Sequence, residues 1–145
     1  MNKRRDPPQD VMWSLLQAAG AVESRIEEAL AAVGLSGAKL AALTQLVEAG
    51  EPVTLGELAA QCACVRSNIT QLVDRLESEK LVKRVADAND RRSLRAQITP
   101  LGRERQAAGA RAIEAVRKRL SGTLKAIDRG ALTRALSDLG PISKK

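Results

Sequence analysis

Residues 54–102 read TLGELAAQCACVRSNITQLVDRLESEKLVKRVADANDRRSLRAQITPLG, and the fold turns on this stretch. Thr54-x-x-Glu57 has the form of a capping box, in which the two side chains satisfy amides at a helix start. Leu55, Leu58, Ala59 and Cys62 then recur at helical spacing and predict a helix of about two turns. After a break over 63–65, a second helix places Ile69, Leu72, Val73 and Leu76 on one face. Two runs of strand character follow, 81–86 and 93–99, separated by the charged segment 87–92. The order is short helix, turn, longer helix and a two-stranded ribbon with a basic tip. It predicts a winged helix-turn-helix.

The second helix is informative on its outer side. With Ile69, Leu72, Val73 and Leu76 inward, a rotation of ~100° per residue turns Ser67, Gln71, Asp74 and Ser78 outward, flanked by Arg66, Asn68, Thr70 and Arg75. Arg, Asn and Gln are side chains that pair with base edges, so Arg66, Asn68 and Gln71 are candidate base contacts. Ser67, Thr70 and Arg75 are candidate phosphate contacts. An ordinary solvated polar face is the competing reading. In the ribbon, Leu94, Ala96 and Ile98 are expected to face inward and Arg95 and Gln97 outward. Its tip, Asn89-Asp90-Arg91-Arg92, carries two arginines that a loop does not need for stability, because exposed ion pairs contribute only about 0–1 kcal/mol. An arm tipped with guanidinium groups suits a narrow minor groove, with Asp90 holding one arginine by a bidentate contact. The plain alternative is a charged hairpin turn.

Leu72-Val73-Asp74-Arg75-Leu76-Glu77, Leu81-Val82-x-Arg84, Asp90-Arg91-Arg92-Ser93 and Ile98-Thr99-x-x-Gly102, in that order, resemble the MarR family of winged helix-turn-helix transcription regulators. The similarity extends over about residues 11–139. The resemblance implies a homodimer on a near-palindromic operator in double-stranded DNA. It carries the recognition-helix positions onto Arg66, Ser67, Asn68 and Gln71, and the wing Asp-x-Arg onto Asp90 and Arg92. Ala63 and Lys80 stand where the family commonly has glycine, and Ala88 where it commonly has proline.

The composition agrees with a mainly α fold bearing a small β-ribbon. At 145 residues the chain is expected to form one domain, 1–145. Residues 36–99 would be the winged lobe, with dimerisation helices over 10–35 and 100–140. Trp13 is the sole aromatic, so the core must be built of aliphatic side chains. The net charge is +7, distributed unevenly: residues 65–105 carry a balance of +4 and residues 21–60 one of −4. A basic half suits a polyanionic partner. No apolar run approaches the ~20 residues of a membrane span, and no signal peptide is read, so a cytoplasmic location is expected.

Residues 1–9 form a basic, proline-containing tail. A long helix over about 10–33 carries Val11, Leu15, Val22, Ile26, Leu30 and Val33 near one stripe, widened by Met12, Leu16 and Ala19. Ser36 caps the next helix, 37–49, which Gly50 and Pro52 end. Thr99-Pro100 restarts helix to about Leu120, with a break or bend at Ser121-Gly122. A last helix spans about 128–139. The apolar stripes of the terminal helices suggest dimerisation; a cap over the same domain is the alternative.

Catalysis has little support. With no histidine, Ser–His, Cys–His and histidine–metal sites are excluded, and no glycine-rich phosphate loop occurs. No cofactor or metal is expected. Cys62 and Cys64 admit two readings: small buried hydrophobes, or a thiol switch that moves the recognition helix on oxidation. A thiol redox sensor and a winged protein-interaction module without DNA binding are the rival functions. The family resemblance also implies a pocket for an aromatic effector. Met12, Trp13 and Leu16 could line it, and Arg25 or Lys39 could meet a carboxylate; a dimer-interface tryptophan is the other reading of Trp13.

Overall fold

A computed structural model describes residues 10–64 and 66–140, with the side chains of Arg66 and Ser67 excepted. The basic tail read over 1–9 lies outside the described residues. Among the described residues six helices and three short strands follow the order α1 (Val11–Ala31), α2 (Gly37–Ala49), β1 (Val53–Thr54), α3 (Leu55–Gln61), α4 (Arg66–Ser78), β2 (Val82–Ala86), β3 (Leu94–Ile98), α5 (Pro100–Thr123) and α6 (Arg129–Ser137).

Helix starts follow the local chemistry. Asp10, Ser36, Thr54, Thr99 and Asp128 each accept a main-chain N–H from the first turn of α1, α2, α3, α5 and α6. At Thr54 the box is reciprocal: Glu57 N–H donates to Thr54 Oγ1 at 3.2 Å, and Thr54 N–H donates to Glu57 Oε2 at 3.1 Å. Pro100 occupies the first turn of α5, where the missing N–H costs nothing.

Helix ends show where the backbone turns left-handed. Gly34 and Gly50 have φ of 72° and 70°. Ala63 and Lys80 adopt φ of 51° and 62° without glycine's freedom. After α3, Cys64 N–H donates to Ala59 O and Ala63 N–H to Ala60 O. After α4, Leu81 N–H donates to Leu76 O and Lys80 N–H to Glu77 O. Both are Schellman closures, which need a left-handed residue at that position. The turn demands the geometry, and an L residue bears a strain of roughly 1–2 kcal/mol.

The core is aliphatic and sits in the lobe. Leu43 and Leu46 of α2, Leu58 of α3, Ile69, Val73 and Leu76 of α4, and Leu81, Val82 and Ala96 beside or within the sheet are buried, joined by Leu30 and Leu35 from the end of α1. The sheet order is β1-β3-β2, antiparallel throughout, with Arg84 opposite Ala96 and Val53 also opposite Ala96. The strand β1 was not expected; at two residues it is too short to show an alternation.

Three further expectations are corrected. Leu94 shares a face with Ala96 and Ile98 but is 46% exposed where they are buried, because it pairs with Ala86 at the outer end of the ribbon. Arg95, expected to face outward, is half-buried and engaged, and Gln97 is half-buried. Helix α5 does not break at Ser121-Gly122 but continues to Thr123, since one glycine costs a helix only about 1 kcal/mol.

Two glycines join α5 to the lobe. A Cβ on Gly102 would lie 2.1 Å from Leu81 O, and one on Gly109 would lie 2.8 Å from methyl carbons of Leu35 and Leu40. Outside these contacts the terminal helices are poorly covered. Leu30 is the only buried residue of α1, and α6 has none, so α6 does not cap the lobe.

Candidate nucleic-acid interface

On α4 the inner row Ile69, Leu72, Val73 and Leu76 anchors the helix, and Asn68, Thr70, Gln71, Asp74, Arg75 and Ser78 stand exposed on the other side. Asn68, Gln71 and Arg75 make no side-chain hydrogen bond or ion pair among the described residues. Their polar groups face solvent with full donor and acceptor capacity. Arg66 is the first residue of α4. Its side chain and that of Ser67, both candidate contacts, lie outside the described residues.

The wing tip is ordered by its own backbone. Asp87 N–H donates to Ser93 O, and Ser93 N–H to Asp90 O, both at 3.0 Å. Asp87 Oδ1 accepts Asn89 N–H at 3.1 Å, and Asp90 Oδ1 accepts Arg92 N–H at 2.9 Å. These are turns in which an aspartate mimics a carbonyl. The expected bidentate grip of Asp90 on a guanidinium is therefore replaced: Asp90 fixes the main chain of Arg92. The side chains of Arg91 and Arg92 are exposed and unpaired.

Residues not selected from sequence hold this arrangement. Arg95 Nε pairs with Asp87 Oδ2 at 3.1 Å, and Arg95 Nη1 donates to Pro52 O at 3.1 Å, tying the tip to the β1 side of the sheet. The Asn89 amide bond, opposed by partial burial and aided by Arg95, holds the Asp87 carboxyl below its ordinary value. Arg84 of β2 reaches Asp74 and Glu77 on α4. Burial works against its charge, but the hydrogen bonds and charges of Asp74 and Glu77 outweigh that and raise its pKa. Only the motif Leu81-Val82-x-Arg84 carried a signal for this residue.

The other candidates are dispersed. Cys62 and Cys64 are half-buried in the turn before α4 and share no disulfide; Cys64 Sγ donates to Cys62 O at 3.4 Å. Met12, Trp13 and Leu16 are exposed near the start of α1. Lys39 is engaged with Glu79 at 2.5 Å, bracing α2 against the end of α4. Arg25 lines a cavity of about 530 Å³ between α1 and α5, beside Val22, Glu28, Val116 and Arg119. Of the five residues Arg25 lines this cavity, and Arg119 was not foreseen as its neighbour.

A buried helix pair, a polar second helix and a ribbon with two arginines at its tip define a winged helix-turn-helix protein. A model described as "MarR family" matches residues 33–93. YsmB of Bacillus subtilis (strain 168), named an uncharacterized HTH-type transcriptional regulator, is 32% identical over 93 residues. That match takes in 64% of this chain and spans 63% of YsmB's length. Two solved structures of CouR are also similar. One is described as a transcriptional repressor bound to a 23-mer DNA duplex, at 26% identity and TM-score 0.73, over 88% of this chain and 89% of that one. The other, from Rhodococcus jostii RHA1 and bound to p-coumaroyl-CoA, gives 25% identity and TM-score 0.69, over 94% and 96%. Over residues 33–93 the chain is similar to the MarR family, and it spans a little under two thirds of the length of the curated relative YsmB.

Proposed function

We propose that this protein is a transcription regulator that binds double-stranded DNA sequence-specifically as a homodimer and acts as a repressor. The observation that carries the reading is the row Asn68, Gln71 and Arg75, exposed on a helix whose other side is fully anchored, beside an ordered ribbon tipped by Arg91 and Arg92. A purely structural helix gains nothing from that choice of side chains. In this reading α4 enters the major groove, where Asn68 and Gln71, with Arg66, meet base edges. Ser67, Thr70 and Arg75 meet phosphates, and Arg91 and Arg92 reach the flanking minor groove. The DNA-bound relative CouR supports the mode of binding. Exposed Val11, Trp13 and Leu16 on α1, with Ile127 and Leu139 flanking α6, support a dimer that covers them. Two copies would place their α4 helices about 34–36 Å apart on a near-palindromic site.

Selection from random duplexes with the purified protein, followed by fluorescence anisotropy at several salt concentrations, tests this. Arg92→Ala is expected to weaken binding to most sequences and flatten its salt dependence, whereas Asn68→Ala or Gln71→Ala changes which sequence is preferred. If all three leave affinity and preference intact, the docking is wrong.

The α1–α5 cavity favours release by a small molecule. Its apolar walls, Val22, Val116 and Leu120, and its two arginines, Arg25 and Arg119, suit an aromatic acid. CouR's complex with p-coumaroyl-CoA supports effector binding in a relative. An aryl carboxylate that releases DNA from the parent should fail on Arg25→Ala/Arg119→Ala; equal release from both excludes the cavity.

A further inference from the structure

Arg84 projects from the base of the ribbon to two carboxylates one turn apart on α4. Nη2 donates to Asp74 Oδ1 at 2.5 Å and Nη1 to Glu77 Oε1 at 3.0 Å. The main-chain N–H of the same residue donates to Glu77 Oε2 at 2.8 Å. The Arg84 side chain is 19% exposed, against 59% for Asp74 and 41% for Glu77. Among the ion pairs of the described residues, these are the ones that join α4 to the ribbon; Lys39–Glu79 braces α2, and Arg95–Asp87 lies within the wing.

The geometry of the bonds matters more than their strength. The amide bond to Glu77 fixes where β2 meets the helix. The guanidinium, a rigid planar fork, then fixes a second point nearly one turn away at Asp74. Two fixed points define an angle. We propose that Arg84 is a positioning residue that sets the inclination of the ribbon against α4, so that Arg91 and Arg92 reach the same duplex as Asn68 and Gln71. This rests on the DNA-binding reading given above. From Arg84 to the tip at Asn89 the chain, strand to Ala86 and then turn, spans at most roughly 17 Å at ~3.3 Å per residue, so a tilt of about 10° displaces the tip by up to about 3 Å. In a minor groove ~6 Å wide that is enough to take a guanidinium out of contact.

The test is a double-mutant cycle between Arg84→Gln and Arg92→Ala on the selected duplex. Residual dipolar couplings of the ribbon and α4 amides, recorded without DNA, and melting curves accompany it. In the parent, Arg92→Ala should weaken binding about tenfold. In the Arg84→Gln background the same change should cost less than about twofold, because the arm is already misplaced. The couplings should report a changed ribbon inclination, with Arg84→Lys, which keeps the charge but not the fork, intermediate. If Arg92→Ala still costs about tenfold in Arg84→Gln and the couplings match the parent, while only the melting temperature falls, Arg84 is structural and the proposal is overturned. A parent that binds no duplex overturns the DNA-binding reading itself, and the proposal with it.

Discussion

Replacing Gly102 by alanine adds one carbon where α5 meets the end of α4. That Cβ would lie 2.1 Å from Leu81 O, 2.8 Å from Ile98 Cγ1 and 3.0 Å from Leu81 C. The nearest atom is backbone, so no side chain can swing aside. Leu81 O also accepts Thr99 N–H at 3.0 Å and the Thr99 hydroxyl at 3.1 Å, and Gly102 N–H donates to Thr99 Oγ1 at 3.0 Å. Relieving the clash means moving the start of α5 by about an ångström and stretching those bonds. Overpacking costs about 1–3 kcal/mol, and each weakened hydrogen bond about 0.5–1.5 kcal/mol. Alanine's helix propensity returns about 1 kcal/mol. The net loss is about 3 kcal/mol, a large share of the roughly 7–15 kcal/mol expected for a chain of this size. Thermal and urea unfolding followed by circular dichroism should show a midpoint lower by about 6–12 °C. Gly56→Ala in α3, where a Cβ meets nothing within 4 Å, is the control and should be neutral or slightly stabilising. If the two variants melt within about 2 °C of each other, the close approach of α5 to Leu81 does not exist as described.

Lys80→Gly relieves the left-handed strain after α4 and should raise stability by about 0.5–1 kcal/mol in urea titrations, while Lys80→Ala should not. Asp87→Asn should lower stability at pH 7. The folded carboxyl titrates below its ordinary value of 3.8, so its contribution is present above that pH and is lost as the pH falls through the folded value; the difference between variant and parent should close below about pH 4. Thr54→Ala removes one half of the capping box on α3 and should cost about 1 kcal/mol in the same titrations, with Thr54→Ser retaining most of it.

What the sequence by itself determined was local. The caps at Ser36, Thr54 and Thr99, the stop at Gly50, and the apolar row of α4 depend on residues within a turn or two of one another, so spacing alone revealed them. The turn positions Ala63 and Lys80 stood out only through the family resemblance, which has glycine there, and the structure adds that both are left-handed. Only the tertiary structure decided relations between elements. How far Leu94 is covered, whether Asp90 grips a side chain or a main chain, and that Lys39 pairs with Glu79 depend on how strands and helices are packed. The same holds for Arg84. Its partners stand seven and ten residues back in the chain, and they meet it only because β2 packs beside α4. Periodicity assigns a residue to a face of its own helix or strand. It carries no information about what another element brings to that face.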